Sequence, residues 1–194
     1  MPGYEGAVES LSIDGTEVLI KTIGGHRPQG ICGSGLVDLL AELKRTHQIS
    51  ELGVLKDGAN SFVFEPTRGM SLSRADISSL AQAKSANFSG QYIVLRKYGM
   101  QLQQVSKLYL AGGFANYIDV DNAIDIGFIP NIPRDRIVKV GNAALEGATI
   151  MLLSRTLRAN VEDLVCNIEH VELETTPDFF DIFVEGCMFN PMVN

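Results

Sequence analysis

The residues that most constrain this chain are 107–119, KLYLAGGFANYID. Leu108, Tyr109, Leu110 and Ala111 form a short apolar run that ends in Gly112-Gly113 and gives way to Phe114, Ala115, Asn116 and Tyr117. A run of that length bounded by glycines predicts a buried strand emptying into a tight loop. Paired glycines at a strand's carboxyl end allow positive φ angles and let a ligand approach bare backbone. In open α/β sheets, small ligands bind in the crevice beyond the strand ends. A strand–helix turn that needs only close packing explains the same residues, so the decision falls to the rest of the chain.

The same pattern recurs downstream. Ile137, Val138, Lys139 and Val140 predict a second short strand, again ending in glycine, at Gly141-Asn142-Ala143-Ala144. A helix follows with small residues at Ala143, Ala144, Gly147 and Ala148. Two strands of this kind imply parallel neighbours whose loops share one rim. The loops at Gly112-Gly113 and Gly141-Asn142 are then expected to face one crevice. Between them, residues 119–125 predict a short helix closed by Gly127, and 128–136 a proline-punctuated loop.

Upstream, residues 9–13 and 17–23 are β-rich runs separated by Asp14-Gly15-Thr16, a strong hairpin signal. A flexible loop from Gly24 to Gly30 leads to Ile31-Cys32-Gly33-Ser34-Gly35. Leu36, Leu39, Leu40 and Leu43 then follow the i, i+3, i+4, i+7 spacing of an amphipathic helix. Ser34 is the expected N-cap, its hydroxyl taking up a free backbone N–H. Gly-Ser-Gly before a helix also offers bare N–H groups and the positive end of the helix dipole, an arrangement that suits a phosphate or a ribose hydroxyl. Capping alone accounts for it equally well. Cys32, with no histidine spaced nearby, reads as a structural thiol.

Residues 48–72 scatter turn signals around one β-rich patch, 61–65, and read as an insertion or cap hairpin. Ser73-Arg74-Ala75-Asp76 opens a proline-free helix with a capping-box-like S-x-x-D, stopping at Gly99. Ala81, Ala83 and Ala86 are expected to allow close packing, and Lys84 to be solvated. The tail predicts a helix, a strand over 170–173, and a last helix with Thr176 as N-cap and Pro177 at its first position.

Composition excludes several functions. Net charge is −7 and no Lys/Arg cluster exceeds a pair, which argues against a nucleic-acid partner. No apolar run approaches the roughly 20 residues that span a membrane. Cys32, Cys166 and Cys187 are far apart with no metal-ligand spacing, so they are expected as reduced thiols of a cytoplasmic protein, with no metal site. His26, His47 and His170 lack partners that would make any of them a general base. No Walker A pattern occurs, and no carboxylate opens a buried strand with glycines after it, so no catalytic residue is assigned. The chain has the apparatus for one half of a nucleotide cleft, and its opening at Met1-Pro2-Gly3 suggests a separated piece of a longer polypeptide.

In combination, ICGSGLVDLL, LYLAGGFANYID, VKVGNAALEGA and HVELETTPDF resemble the carboxy-terminal part of the reductive activators of corrinoid-dependent enzymes, from about residue 6 to about residue 191. These are ferredoxin-fused proteins with an ATPase module of the actin, sugar-kinase and chaperone ATPase superfamily. The resemblance implies an α/β fold over residues 1–194: a ribonuclease-H-like lobe of a two-lobed ATPase, a mixed sheet with helices on both faces. It implies ATP with Mg²⁺ as ligand, with residues 110–114 as the adenosine motif, Gly112 and Gly113 under the adenine or α-phosphate, and Phe114 and Asn116 among the nucleotide-binding residues. Gly33, Ser34 and Gly35 would lie beside the ribose, and Gly141 and Asn142 in the second connecting segment. Where the family continues LAGGFG, this chain has Ala115, whose methyl is expected either to crowd the ligand or to demand a negative φ.

The implied function is an ATP-binding lobe of an activator that returns cob(II)amide to cob(I)amide in methyltransferase systems. The family's phosphate loops and its 2Fe–2S ferredoxin domain lie amino-terminal to the matching segment, so this chain alone is expected to be inactive. The implied partner is a corrinoid protein or methyltransferase. The competing readings are a non-catalytic module that docks a corrinoid protein or forms a homodimer, its glycines serving packing, and a lobe of a small-molecule kinase.

Overall fold

The computed structural model describes residues 1–192. Strands β1 (Ala7–Asp14) and β2 (Glu17–Thr22) form the expected antiparallel hairpin, Leu11 facing Ile20 and Ile13 facing Val18. Its two-residue turn places Gly15 at φ 59°, which only glycine adopts freely. A two-residue strand, β3 (Gly30–Ile31), pairs parallel with the start of β1, giving a small mixed sheet of order β2-β1-β3.

Helix α1 (Gly33–Arg45) lies against β1. Leu39, Leu40 and Leu43 enter the main core as the periodicity predicts. The helix is also buried on a polar stripe, Ser34, Asp38 and Glu42, spaced four residues apart. Beyond β3 the edge of β1 has no neighbouring strand among the described residues, and this stripe supplies the missing partners. Ser34 Oγ donates to Glu9 O (2.7 Å), Leu11 N–H donates to Asp38 Oδ2 (3.3 Å), and Ile13 N–H donates to Glu42 Oε2 (2.5 Å). Arg45 Nη2 completes the row by donating to Ile13 O (2.5 Å). A buried strand edge must be satisfied somewhere, and here a helix does it with side chains.

Strands β4 (Ser61–Glu65) and β5 (Met70–Ser73) form a separate hairpin over residues 61–73. It runs directly into α2 (Arg74–Lys97), which opens with the predicted capping box of Ser73 and Asp76. Strands β6 (Leu108–Ala111) and β7 (Ile137–Gly141) are parallel neighbours, as their glycine endings implied. Between them lie α3 (Gly113–Tyr117) and α4 (Val120–Asp125), the latter capped by Asp119. Helices α5 (Ala143–Leu153), α6 (Arg155–Val165) and α7 (Phe179–Gly186) complete the order. One core joins the β1 sheet to α1 and α4; a second gathers Phe88, Ile93, Ile132 and Ile182 around α2 and α7.

Several local expectations are corrected. Residues 170–173 form no strand: 170–172 are irregular and Leu173 opens a short 3-10 turn. The last helix begins at Phe179 behind Asp178, not at Thr176-Pro177. Ser34 does not cap α1; Cys32 occupies the N-cap position, and the serine hydroxyl is spent on β1. Ala83 and Ala86 are exposed. Close packing of α2 on α7 instead uses Ser85, Ser89 and Gly186, where a Cβ on Gly186 would lie 2.7 Å from Ser85 Oγ.

Lys84 is not solvated but 3% exposed. Its Nζ donates to Met188 O (2.5 Å) and sits between the rings of Phe88 and Phe189, at 5.7 and 5.8 Å from their centroids. Burial pulls its pKa down to about 8. No helix of the described residues is long and apolar enough to cross a membrane.

A candidate nucleoside cleft

Gly112 ends β6 with φ 97° and ψ 163°, a conformation closed to other residues without strain. Its N–H donates to Gly141 O (2.7 Å), so the two glycine turns touch at the carboxyl rim of the parallel pair. Space beside Gly112 and Gly113 is open. Ala115 is accommodated because it is a helical residue of α3, with its methyl buried. The negative φ that this methyl demands is met there.

Helix α3 carries Phe114 back across the start of α1. A Cβ on Gly33 would lie 2.7 Å from the Phe114 ring, so only glycine permits this contact. The same ring meets Phe128 edge-on, at 5.8 Å between centroids. The result is a cleft of about 630 Å³ between the first turn of α1 and the first turn of α3. That volume lies in the range of small-molecule sites. Gly33 and Ser34 form one wall, Gly113, Phe114 and Tyr117 another, and Glu9 and Ile23 close the hairpin side. The N-terminal turn of α1 turns the positive end of its dipole towards this space. No lysine or arginine lines it among the described residues.

The sequence-derived site residues separate into two groups. Gly33, Ser34, Gly113 and Phe114 line the cleft. Gly112 supports it by its turn. Gly35 does not line it; a Cβ there would stand 2.4 Å from Val8 O, so this glycine lets α1 approach β1. Gly141 turns at φ 67° beside Asn116, and Asn142 Oδ1 caps α5 by accepting from Leu145 N (3.1 Å). The carbonyl of Asn116 accepts from Lys139 Nζ (3.2 Å). Asn116, Gly141 and Asn142 therefore serve the β6–β7 rim and not the cleft wall, and the crevice opens on the α1 side of that rim. Cys32, at the N-cap, bears on the cleft as a buried thiol donating to Val8 O (3.3 Å).

Sequence reasoning missed Tyr117 and Glu9. Tyr117 stands three residues after Phe114, hence on the same helical face. Glu9 shares the strand parity of Leu11 and Ile13, an inward position unusual for a carboxylate.

Comparison with known proteins bears on this geometry. The family model described as the C-terminal domain of RACo, the ASKHA domain, matches residues 1–193. The chain belongs to this family. A corrinoid activation enzyme, RamQ of Eubacterium limosum, is 29% identical over 222 aligned positions, covering 100% of this chain and 37% of that protein. A solved structure titled reductive activator for corrinoid, iron-sulfur protein superposes with a TM-score of 0.88 at 34% identity, over 98% of this chain and 33% of that one. The chain thus spans about a third of the length of these relatives. The α/β architecture above is that of a RACo-type ASKHA domain.

Proposed function

We propose that the cleft between α1 and α3 binds the nucleoside part of ATP, and that this chain is the carboxy-terminal ATP-binding lobe of a corrinoid reductive activator. In the intact protein, ATP turnover would drive return of cob(II)amide to cob(I)amide on a corrinoid protein or methyltransferase in the cytoplasm. The observation that carries this reading is the convergence of the Gly112-Gly113 turn, Phe114 and the first turn of α1 on one cleft, in a chain whose relatives are named as corrinoid activators. Two aromatic rings suit a base, and helix N–H groups suit polar ligand atoms.

The cleft is short of phosphate partners, having no cationic side chain. No group of three His, Cys, Asp or Glu clusters as metal ligands among the described residues, so Mg²⁺ would arrive on the triphosphate of the nucleotide. Triphosphate contacts and electron transfer belong to parts of the activator outside these residues.

Calorimetric titration with Mg-ATP and then ADP tests the reading. Binding on the order of 0.1–1 mM, a free energy of roughly −4 to −5.5 kcal/mol, is the expected result, and it is lost in Phe114→Ala. Absence of heat at several millimolar refutes it.

A docking role has its own support. Helices α5 and α6 pack chiefly on each other and expose Leu152 (77%), Leu153 (81%) and Leu164 (63%). Apolar surface of that kind marks an interaction site. If it receives the corrinoid protein, Leu152→Asp with Leu153→Asp weakens that complex and leaves ADP binding unchanged.

A further inference from the structure

Resting on the nucleoside reading above, we infer that Glu9 is the residue that recognises the sugar. Its carboxylate accepts the 2′- and 3′-hydroxyls of a bound ribonucleoside and excludes a deoxyribose.

Glu9 sits at an inward position of β1. Leu11 and Ile13, two and four residues on with the same parity, are core side chains. The Glu9 side chain is only 18% exposed, and the residue lines the cleft. Its backbone lies at the bulge between the Val8–Thr22 and Ser10–Lys21 pairs of the hairpin, and Ser34 Oγ from the first turn of α1 donates to Glu9 O at 2.7 Å. Residue 9 is thereby tied to the Gly33-Ser34 wall.

Its chemistry narrows the ligand. An ionised carboxylate only accepts hydrogen bonds. Its one partner among the described residues is Lys21 Nζ, 3.1 Å from Oε1, on a lysine side chain that is 77% exposed. An exposed pair of this kind holds a carboxylate weakly. With no lysine or arginine among the lining residues, the negative charge at Glu9 repels phosphate, so the phosphates of a nucleotide point away from it. What remains is a donor, and a vicinal diol presents two O–H groups to two carboxylate oxygens. The same pairing of an acidic residue with ribose hydroxyls operates in dinucleotide folds of unrelated topology. The arrangement orients the ligand: ribose at Glu9, base against Phe114 and Tyr117, phosphates towards the open side.

The experiment is an NMR titration of the 194-residue chain with ADP, adenosine and 2′-deoxy-ADP, repeated with Glu9→Gln and Lys21→Met. A hydrogen bond to a charged group corresponds to roughly ten- to a hundredfold in affinity. ADP is expected to bind about tenfold or more tightly than 2′-deoxy-ADP. In Glu9→Gln the two should converge within about threefold at an unchanged melting temperature, and in Lys21→Met the preference should persist. Equal affinity for the two in the unaltered chain, or a preference that survives Glu9→Gln, overturns the assignment of Glu9 and leaves the nucleoside reading standing. Failure of ADP and adenosine alike to bind overturns both.

Discussion

The row of α1 side chains along the open edge of β1 makes a sharp prediction about Glu42. Its carboxylate accepts from Ile13 N–H at 2.5 Å and from Arg45 Nε and Nη2 at 2.7 and 2.8 Å, while the residue is 8% exposed. Replacing it with leucine keeps the volume apolar but leaves the Ile13 amide without an acceptor. An orphaned buried donor costs about 1–3 kcal/mol. The Arg45 pair adds little, since that side chain is 60% exposed and can return to water. The expected loss for Glu42→Leu is therefore about 2 kcal/mol, close to the desolvation of one amide. In a chain of this size it corresponds to a fall in Tm of roughly 4–8 °C. Glu42→Gln retains an acceptor and should lose about half as much.

Urea unfolding followed by circular dichroism measures the loss, and amide exchange at Ile13 locates it. The Arg45 hydrogen bonds hold the Glu42 carboxyl below its ordinary value of 4.5. Its contribution is thus present above that pH and disappears as the pH falls through the folded-state pKa. The difference between the unaltered chain and Glu42→Gln should shrink in acid. A Glu42→Leu variant within 0.5 kcal/mol of the unaltered chain, with Ile13 exchange unchanged, would refute the idea that α1 seals this strand edge.

Asp38, one turn earlier, titrates the other way: burial raises its pKa despite the Asn122 and Leu11 hydrogen bonds. Carboxyl NMR titration should find Asp38 above 3.8 and Glu42 below 4.5. Lys84 is depressed from 10.5 to about 8, so the unfolded chain binds the extra proton between those values and stability rises with pH across them. Comparison with Lys84→Met should isolate a rise on the order of 3 kcal/mol; parallel curves for the two would exclude it. Gly112→Ala places a side chain at φ 97° and is expected to cost about 1–2 kcal/mol in thermal unfolding, open space notwithstanding. Gly186→Ala brings a methyl to 2.7 Å from Ser85 Oγ and 2.8 Å from the Phe88 ring, and is expected to cost about 1–3 kcal/mol, read by urea unfolding.

Local chemistry in the sequence determined the short-range elements. Asp14-Gly15 set the hairpin, Ser73 and Asp76 the start of α2, and the two apolar runs ending in glycine the parallel pair β6–β7. Each depends on interactions within a few residues, or on glycine's freedom at positive φ, and those are legible in a linear string. The meeting of Gly33 and Ser34 with Gly113 and Phe114 was legible only through resemblance, because some 80 residues separate them and spacing carries no distance information over that length.

Tertiary structure alone decided where polar groups go when a strand edge lacks a partner. Ser34 reads locally as a cap, yet its hydroxyl is spent on Glu9 O, and Asp38 and Glu42 of the same helix give their carboxylates to β1. Lys84 reads as a surface lysine, but α2 is covered along that face by α7 and the segment after it, which offers the carbonyl of Met188. The demand that every buried donor and acceptor find a partner is a property of the assembled molecule, and a sequence states it only once its neighbours are known.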